Sequence, residues 1–199
     1  MKKIFFCYLV LLLTSCVETV VVGTVTTGVL VAREKSIIDT KDDIRITSEV
    51  FQQFVLNDIN NFNNSISVTT GEKRVLLTGV SYQPEDAKKA SQLCWKVDGV
   101  KEVIDEIQVA ENKPRMEKRI INYIKDSAIT SQINIKATFN RDISLVNFKI
   151  ITVNGVVYLM GIAQDNAEID EITILSSKIK GVKKVISHII TTQDQRRNY

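Results

Sequence analysis

The sequence is poor in the residues on which most catalytic and metal sites depend. Its 199 residues include one histidine, two prolines and three cysteines. Histidine titrates nearest neutral pH and is a common metal ligand, so its scarcity argues against acid–base and metal chemistry. The sequence also lacks a G-x-G-x-x-G motif and a Walker loop, the usual signatures of nucleotide binding. We therefore predict a protein that is not an enzyme and holds no metal and no cofactor.

The chain begins with a short export-type segment. Lys2 and Lys3 precede an apolar run over residues 4–13, which is too short for a bilayer span of roughly 20 residues. The run ends in Leu-Thr-Ser-Cys at residues 13–16, which resembles the lipobox of bacterial lipoproteins. This interpretation makes residues 1–15 a signal peptide and Cys16 the acylated first residue of the mature chain. The alternative is an ordinary signal peptide in which the cysteine stands by chance.

Residues 16–40 form a segment rich in valine, threonine and glycine, without a helical period. We interpret them as the lipidated N-terminus and a linker. Val17, rather than an aspartate, follows the predicted acylated cysteine. By resemblance to lipoprotein sorting in Gram-negative bacteria, this favours the outer membrane. Cys7 would leave with the signal peptide, so Cys94 would be the one thiol left, and we expect it to serve in packing.

The rest of the chain contains an internal repeat. Residues 75–107 and 157–189 align without a gap, and eleven aligned positions are identical. Each copy predicts a first helix, near 41–57 and 120–139, then a β-hairpin, an amphipathic helix and a last strand. The first hairpin is expected to turn on Gly71 and the second on an Asn-Gly pair that suits a type I′ turn. The α-β-β-α-β order predicts an α+β fold, with a three-stranded sheet and two helices on one face in each copy.

The amphipathic helix of each copy places its core residues at i, i+3, i+4 and i+7. These are Ala90, Leu93, Cys94 and Val97 in the first copy and Ile172, Leu175, Ser176 and Ile179 in the second. Gly99 and Gly181 follow these helices, where a glycine can take the left-handed conformation that stops a helix.

The repeat resembles the BON domain. The resemblance rests on Gly79 and Gly161 after each second strand and on the Gly-Val-Lys-x-Val entry to each third strand. Two such domains behind a lipobox are similar to the dual-BON outer-membrane lipoproteins of the DolP family. On this resemblance, residues 41–110 form BON domain 1 and residues 117–191 form BON domain 2. The family implies a lipid anchor on the periplasmic face of the outer membrane, support of outer-membrane integrity, and proximity to the outer-membrane protein assembly machinery.

The two copies differ in charge. Residues 41–110 carry 8 Lys/Arg and 11 Asp/Glu, a net charge of −3, whereas residues 113–199 carry 14 and 8, a net charge of +6. A basic domain is attracted to anionic phospholipids such as phosphatidylglycerol and cardiolipin, at about 1 kcal/mol per nearby Lys or Arg. Nucleic acid would attract the same charge, but an exported protein does not ordinarily meet it. The alternative is a solvated basic face without a partner.

The resemblance also implies that the first helix of BON domain 2 contacts anionic phospholipid. Ile129, Ile133 and Ala137 form the predicted core face of this helix, and Asp126 or Ser127 is its predicted N-cap. The candidate phospholipid-binding residues are Lys125, Ala128, Thr130, Ser131, Asn134, Ile135, Lys136, Thr138 and Arg141.

Family members can carry an aromatic residue near the start of this helix, where this sequence has Ala128. Ile135 is a large apolar residue that points away from the predicted core. We therefore expect any lipid affinity to rest on Ile135 and on the basic residues Lys125, Lys136 and Arg141.

Two further residues stand out. Trp95, the one tryptophan, lies off the predicted core face of its helix, and the second copy has Ser177 in its place. Trp95 therefore suits the contact between the two domains, or else a protein or lipid partner. His188 aligns with Glu106 on the last strands, and polar residues at both positions predict an outward-facing, non-catalytic site.

Two functions follow from these expectations. The first is a lipid-anchored outer-membrane protein whose second domain binds anionic phospholipid reversibly. The second is an envelope protein-interaction scaffold with no lipid recognition beyond its acyl anchor. A lipid binder loses vesicle affinity with rising salt and with neutral lipid, whereas a scaffold is indifferent to both.

Overall fold

A computed structural model describes residues 37–59 and 64–197. These described residues belong to one compact unit. The predicted signal peptide, the predicted acylation site Cys16 and most of the predicted linker lie outside the described residues. Among the described helices, none is long and apolar enough to cross a bilayer.

The described chain consists of two successive αββαβ units. The first comprises α1 (Ile37–Leu56), β1 (Asn64–Gly71), β2 (Arg74–Ser81), α2 (Pro84–Cys94) and β3 (Glu102–Val109). The second comprises α3 (Met116–Thr138), β4 (Phe148–Val153), β5 (Val156–Ala163), α4 (Asn166–Ser177) and β6 (Lys184–Thr191). Short 3-10 turns lie at Leu145–Asn147 and Gln195–Arg197. Helix α1 begins at Ile37, inside the predicted linker.

Each unit has one three-stranded sheet, in the order β1-β2-β3 or β4-β5-β6. The first two strands pair antiparallel as a hairpin, and the third strand pairs parallel to the second after the crossover through α2 or α4. The two helices of each unit cover one face of its sheet. These observations confirm the predicted α+β class and the repeated element order.

The helix periodicity identified the two cores correctly. All four predicted core positions of the first copy are buried, with Val97 lying just after the end of α2. In the second copy Ile172 and Ser176 of α4 are buried, as is Ile179 just after it, and Leu175 is half-buried against the same cluster. Cys94 is fully buried, and desolvation raises the pKa of its thiol to about 12, as expected for a packing residue.

Gly79 and Gly161 are required by close contact between strands. Their φ angles are +115° and +149°. A Cβ atom would lie 1.9 Å from the carbonyl oxygen of Ser65 at the first glycine and 2.1 Å from that of Asn147 at the second. No side chain fits at such distances, which explains why both repeats keep glycine here.

The hairpin turn of the second repeat is as predicted, whereas the turn of the first repeat is not. In the second repeat Asn154 and Gly155 both have positive φ, 51° and 81°, as a type I′ turn requires. In the first repeat the turn residues are Glu72 and Lys73, with φ of 57° and 61°, and Gly71 is the last residue of β1. The prediction of a turn on Gly71 was therefore wrong, because two residues without glycine's freedom occupy the left-handed region.

An aspartate on the first helix of each repeat binds the neighbouring turn. The Asp43 carboxylate accepts the two turn N–H groups of the first hairpin at 3.2 and 2.8 Å. The Asp126 carboxylate does the same in the second hairpin at 2.7 and 2.8 Å. Asp126 therefore does not cap α3, nor does Ser127, because the helix starts ten residues earlier with Arg115 at its N-cap.

The two units pack together through the sheet faces that carry no helices. Leu76 and Ile104 of the first sheet meet Tyr158 and Met160 of the second, and all four side chains are buried. We call this contact the seam. Half-buried side chains extend it, namely Ile151, Val153, Val156 and Ile186. Each sheet is thus covered on both faces, by helices on one and by the other sheet on the opposite one.

The one histidine lies in the seam rather than on an outward-facing surface. His188 Nε2 lies 3.0 Å from Oε1 of Glu106, its equivalent in the first repeat. The two side chains are only 20 % and 25 % exposed. The Arg74 guanidinium donates to the His188 carbonyl at 2.9 Å and pairs with Glu102. The prediction that His188 faces outward was wrong, because a polar residue on a strand can face a second sheet instead of solvent.

Candidate functional site

Helix α3 has two apolar sides. Its inner side packs Ile129, Ile133 and Ala137 into the core of the second unit, as predicted. Its opposite side carries large apolar residues that are each at least half exposed. They are Ile120, Ile121, Ile124 and Ile135, followed by Phe139 immediately after the helix. We call this surface the outer face of α3. Because Ile124, Ala128 and Ile135 are spaced i, i+4 and i+11, they form one stripe along the helix.

Most of the candidate phospholipid-binding residues lie on or beside this outer face. Exposed side chains are found at Lys125, Ala128, Ser131, Asn134, Ile135, Lys136, Thr138 and Arg141. Thr130 is the exception. Its hydroxyl lies 2.8 Å from that of Thr152 on β4, and the side chain is half-buried. Thr47 and Thr70 make the same contact at 2.9 Å in the first unit, so Thr130 serves the fold and should be removed from the lipid site.

The basic residues at this site form no ion pairs with other described residues. In the part of the chain that the structure describes, Lys125, Lys136 and Arg141 form no ion pair. Lys125 and Lys136 are eleven residues apart and so lie on the same flank of the outer face. Their charges therefore remain available to an anionic surface.

Some basic residues of the second unit bind the first unit. Arg197 pairs with Glu72 of the first unit at 3.3 Å, and Arg196 lies 4.0 Å from Glu102. Lys149 donates to the carbonyl of Thr70 across the seam. The net charge of +6 therefore overstates the charge offered to a membrane, because these side chains bind the acidic first unit.

The sequence interpretation missed the N-terminal half of the outer face. It began the helix near residue 120, whereas α3 begins at Met116. The signal was present, because Ile120, Ile121 and Ile124 are large apolar residues on positions that do not continue the core face. An extended apolar outer face was therefore recoverable from spacing alone.

Comparison of the two repeats shows that the fold does not require apolar residues on the stripe formed by Ile124, Ala128 and Ile135. The turn-binding aspartates Asp43 and Asp126 place corresponding helix positions 83 residues apart. The positions in α1 that correspond to Ile124, Ala128 and Ile135 are Lys41, Arg45 and Gln52. A helix in the same structural place thus carries polar residues on this stripe.

Trp95 does not take part in the contact between the two units. It caps the C-terminal end of α2, on the helix-covered face of the first sheet, and it is 55 % exposed. The seam lies on the opposite face of that sheet. A partner surface is therefore the interpretation that remains for Trp95.

Helix α1 also exposes apolar residues, Ile44, Phe51 and Val55, at i, i+7 and i+11.

Among the residues that the structure describes, no three His, Cys, Asp or Glu side chains are grouped closely enough to hold a metal ion.

Comparison with known proteins agrees with this architecture. The BON domain model matches residues 42–111 and 125–193. The chain is 40% identical over 146 residues to an uncharacterized protein in the gshII 5′ region of Anaplasma centrale, across 73% of this chain and 89% of that protein. It is 31% identical over 150 residues to osmotically-inducible protein Y of Escherichia coli K12, across 75% and 73%. It is 36% identical over 116 residues to the outer membrane lipoprotein DolP of Haemophilus influenzae, across 57% and 55%.

Each of the two domain matches covers most of one αββαβ unit, the second beginning within α3, and together they span more than half of the chain. The chain belongs to the BON-domain family and carries two BON domains in tandem.

Proposed function

We propose that this chain is a non-enzymatic envelope protein that binds anionic phospholipid bilayers through the outer face of α3. The observation that carries the proposal is the stripe formed by Ile124, Ala128 and Ile135 with unpaired lysines on its flank. The corresponding stripe on α1 is polar, so packing does not account for the apolar residues. An exposed apolar surface beside unpaired cations is the composition of a helix that lies at a membrane interface.

The expected affinity of this contact is modest. Each Lys or Arg near an anionic surface contributes about 1 kcal/mol at low salt. Full burial of an isoleucine contributes about 1.5–3 kcal/mol, and Ile124 and Ile135 are already 41% covered by the fold, since both are 59% exposed. A weak contact of this kind is effective only if the protein is already held at the membrane. Acylation of Cys16 would supply that second attachment.

The similarity to an outer membrane lipoprotein supports placing this chain at the periplasmic face of the outer membrane. There the acyl chains on Cys16 would hold the protein permanently. Helix α3 would bind phosphatidylglycerol or cardiolipin reversibly, and this second contact would contribute to outer-membrane integrity.

Flotation with lipid vesicles tests the proposal. A fragment of residues 32–199 is suitable, because both cores and the seam lie entirely within it. It is mixed with vesicles of phosphatidylcholine alone or of phosphatidylcholine with phosphatidylglycerol and cardiolipin. We expect flotation with the anionic vesicles only, and a loss of flotation as salt is raised.

A matched pair of variants locates the contact. Ile124→Asp/Ile135→Asp places two carboxylates on the outer face of α3 and should abolish flotation. Phe51→Asp/Val55→Asp places two carboxylates on equally exposed positions of α1 and should leave it unchanged. Equal losses in both variants, or flotation with neutral vesicles, would contradict the assignment to α3.

A protein-interaction scaffold is the second candidate function. It is favoured by exposed apolar residues in the first domain, Trp95 and the α1 residues Phe51 and Val55. This domain carries a net charge of −3, which does not suit an anionic bilayer. A partner such as the outer-membrane protein assembly machinery would bind here. Failure of the fragment to float with either vesicle, together with loss of a cross-linked envelope partner in Trp95→Ala, would favour this function.

A further inference from the structure

A groove of about 750 Å³ lies between the first domain and the start of α3. One wall is the helix-free face of the first sheet, where Ser67 and Val80 line it. The other wall is formed by Ile120 of α3 and by Ile151 and Val153 of β4. The last two side chains also pack against the buried cluster of the seam, so the groove is the open end of an apolar interface.

The size and the lining of the groove suit an apolar ligand. Its volume falls within the range of about 300–1,000 Å³ found for small-molecule sites. Such sites combine apolar walls with a few polar groups that orient the ligand. A cleft of this size accommodates a single hydrocarbon chain but not a folded partner.

The groove contains one cation without a counter-ion. Arg119 lines it, is half-buried, and donates from Nη2 to the Ser65 hydroxyl at 3.1 Å. Among the described residues no carboxylate pairs with Arg119. Asp126 also lines the groove, but both of its oxygens accept N–H groups of the second hairpin turn. A half-buried guanidinium bonded only to a hydroxyl is a favourable position for an anion.

The start of α3 adds a second favourable element. Met116 lines the groove, no side chain caps this helix end, and Glu117, the acidic residue of its first turn, is not among the groove-lining residues. The uncapped N–H groups and the positive end of the helix dipole stabilise negative charge within the first turn. Arg119 belongs to the same first turn.

The groove is continuous with the surface proposed to lie on the bilayer. Ile120 lines the groove and also belongs to the outer face of α3. Ile120 therefore joins the apolar outer face of α3 to the apolar wall of the groove.

We propose that the groove holds one acyl chain of an anionic phospholipid, with its headgroup phosphate at Arg119 and the first turn of α3. The chain packs against Val80, Ile151 and Val153, which the open end of the seam leaves partly uncovered. This inference rests on the proposed function for its source of lipid. It concerns a different surface, however, because the bilayer contact uses the outer face of α3 and the acyl chain uses the interdomain groove.

Displacement of a fluorescent fatty acid tests the groove separately from the bilayer contact. The fragment of residues 32–199 is titrated with cis-parinaric acid, whose emission rises in an apolar site. Lysophosphatidylglycerol, lysophosphatidylcholine and oleate then compete at concentrations below micelle formation. We expect lysophosphatidylglycerol to compete about tenfold better than lysophosphatidylcholine, because the choline cation of the zwitterion offsets the charge of its phosphate and is repelled by Arg119. No binding of the probe, or displacement by oleate but not by lysophosphatidylglycerol, would overturn the proposal.

Variants then assign the site. Ser67→Trp fills the groove and should abolish probe binding. Ser177→Trp is its matched control, since the first repeat carries a tryptophan at that position, and it should bind like the wild type. Arg119→Gln should weaken lysophosphatidylglycerol more than lysophosphatidylcholine and so remove the preference for the anionic lysolipid. If circular dichroism shows that Ser67→Trp does not fold, Arg119→Gln still tests the assignment of the site.

The two proposals fail in different ways. Ile124→Asp/Ile135→Asp should lose vesicle flotation but retain probe binding, because neither residue lines the groove. Wild-type binding by Ser67→Trp would refute the groove and leave the bilayer contact standing. Absence of flotation with intact probe binding would refute the bilayer contact instead.

Discussion

The aspartates that bind the hairpin turns should contribute unequally to stability. Asp43 and Asp126 each accept two turn N–H groups, so replacement by alanine leaves two donors without partners. An unsatisfied buried donor costs about 1–3 kcal/mol, and partial access of water to the turn places each donor near the lower end. For Asp126→Ala we expect the free energy of unfolding to fall by about 2 kcal/mol. Asn154 and Gly155 then retain a type I′ turn from their own preference.

The cost should be larger for Asp43→Ala. Glu72 and Lys73 hold positive φ without glycine, at about 1–2 kcal/mol per residue, and Asp43 is almost fully buried. We expect Asp43→Ala to lower the free energy of unfolding by about 3–4 kcal/mol, since water reaches the two unsatisfied donors less readily beside this buried position. Lys73→Gly in this background should recover about 1 kcal/mol, because glycine takes positive φ without strain.

Urea unfolding measures both variants, and the two domains can be followed separately. Trp95 is the one tryptophan and lies in the first domain, so its fluorescence reports that domain, while circular dichroism reports both. An equal or larger loss in Asp126→Ala would refute the reasoning. So would a failure of Lys73→Gly to improve Asp43→Ala.

Three further predictions concern single side chains. Arg197→Ala should lower the free energy of unfolding by about 1–2 kcal/mol in a urea titration, because it leaves Glu72 of the other domain unpaired. The Cys94 thiol should resist iodoacetamide at pH 8 in the native state and react at once in urea, because burial raises its pKa to about 12. The pKa of Asp194 is lowered from 3.8 to about 2 by its hydrogen bond to Arg196. Its stabilisation is therefore present above pH 4 and lost as the pH falls through 2, so wild type and Asp194→Asn should differ in melting temperature at pH 7 and converge near pH 2.

The fold could be predicted from the sequence because each structural feature appears in both repeats, so that each prediction rests on two observations. A glycine found once after a strand is ambiguous, but Gly79 and Gly161 recur in register, and in both places a side chain would collide with a neighbouring carbonyl. The core faces of the helices followed from their period for the same reason. Each core lies within one repeat, and hydrophobic periodicity indicates which residues of a single helix or strand are buried in it.

The seam was less accessible, because strand alternation assumes that one sheet face meets solvent. Strand β2 has seven buried residues among its eight, and β5 has six. A strand that is apolar at almost every position is usually buried on both faces. The sequence shows this pattern around Leu76 and Tyr158. It identifies a covered face but not what covers it. The pairing of Glu106 with His188 therefore required the structure.

Within the candidate site, residue type alone misplaced Thr130. Its hydroxyl suits a lipid headgroup, but it lies one helical turn after Asp126 and meets Thr152 instead. The pair Thr47 and Thr70 in the first domain carried the same information. A polar residue that both repeats share on a helix is better assigned to the fold, and one that differs between repeats is better assigned to function.

This criterion bears on the two candidate functions. The apolar residues on α1, Ile44, Phe51 and Val55, correspond to Ser127, Asn134 and Thr138 on α3. Conversely, the apolar stripe on α3 corresponds to polar residues on α1. Ile124 and Ile135 of α3 and the three apolar residues of α1 thus lie on different sides of the equivalent helices. Since these exposed apolar residues accompany acidic charge in the first domain and basic charge in the second, the two surfaces suit different partners, and membrane binding and protein binding need not exclude one another. Flotation of Phe51→Asp/Val55→Asp at wild-type level, with loss of a cross-linked partner, would establish both functions in one chain, and loss of both activities in that variant would refute their separation.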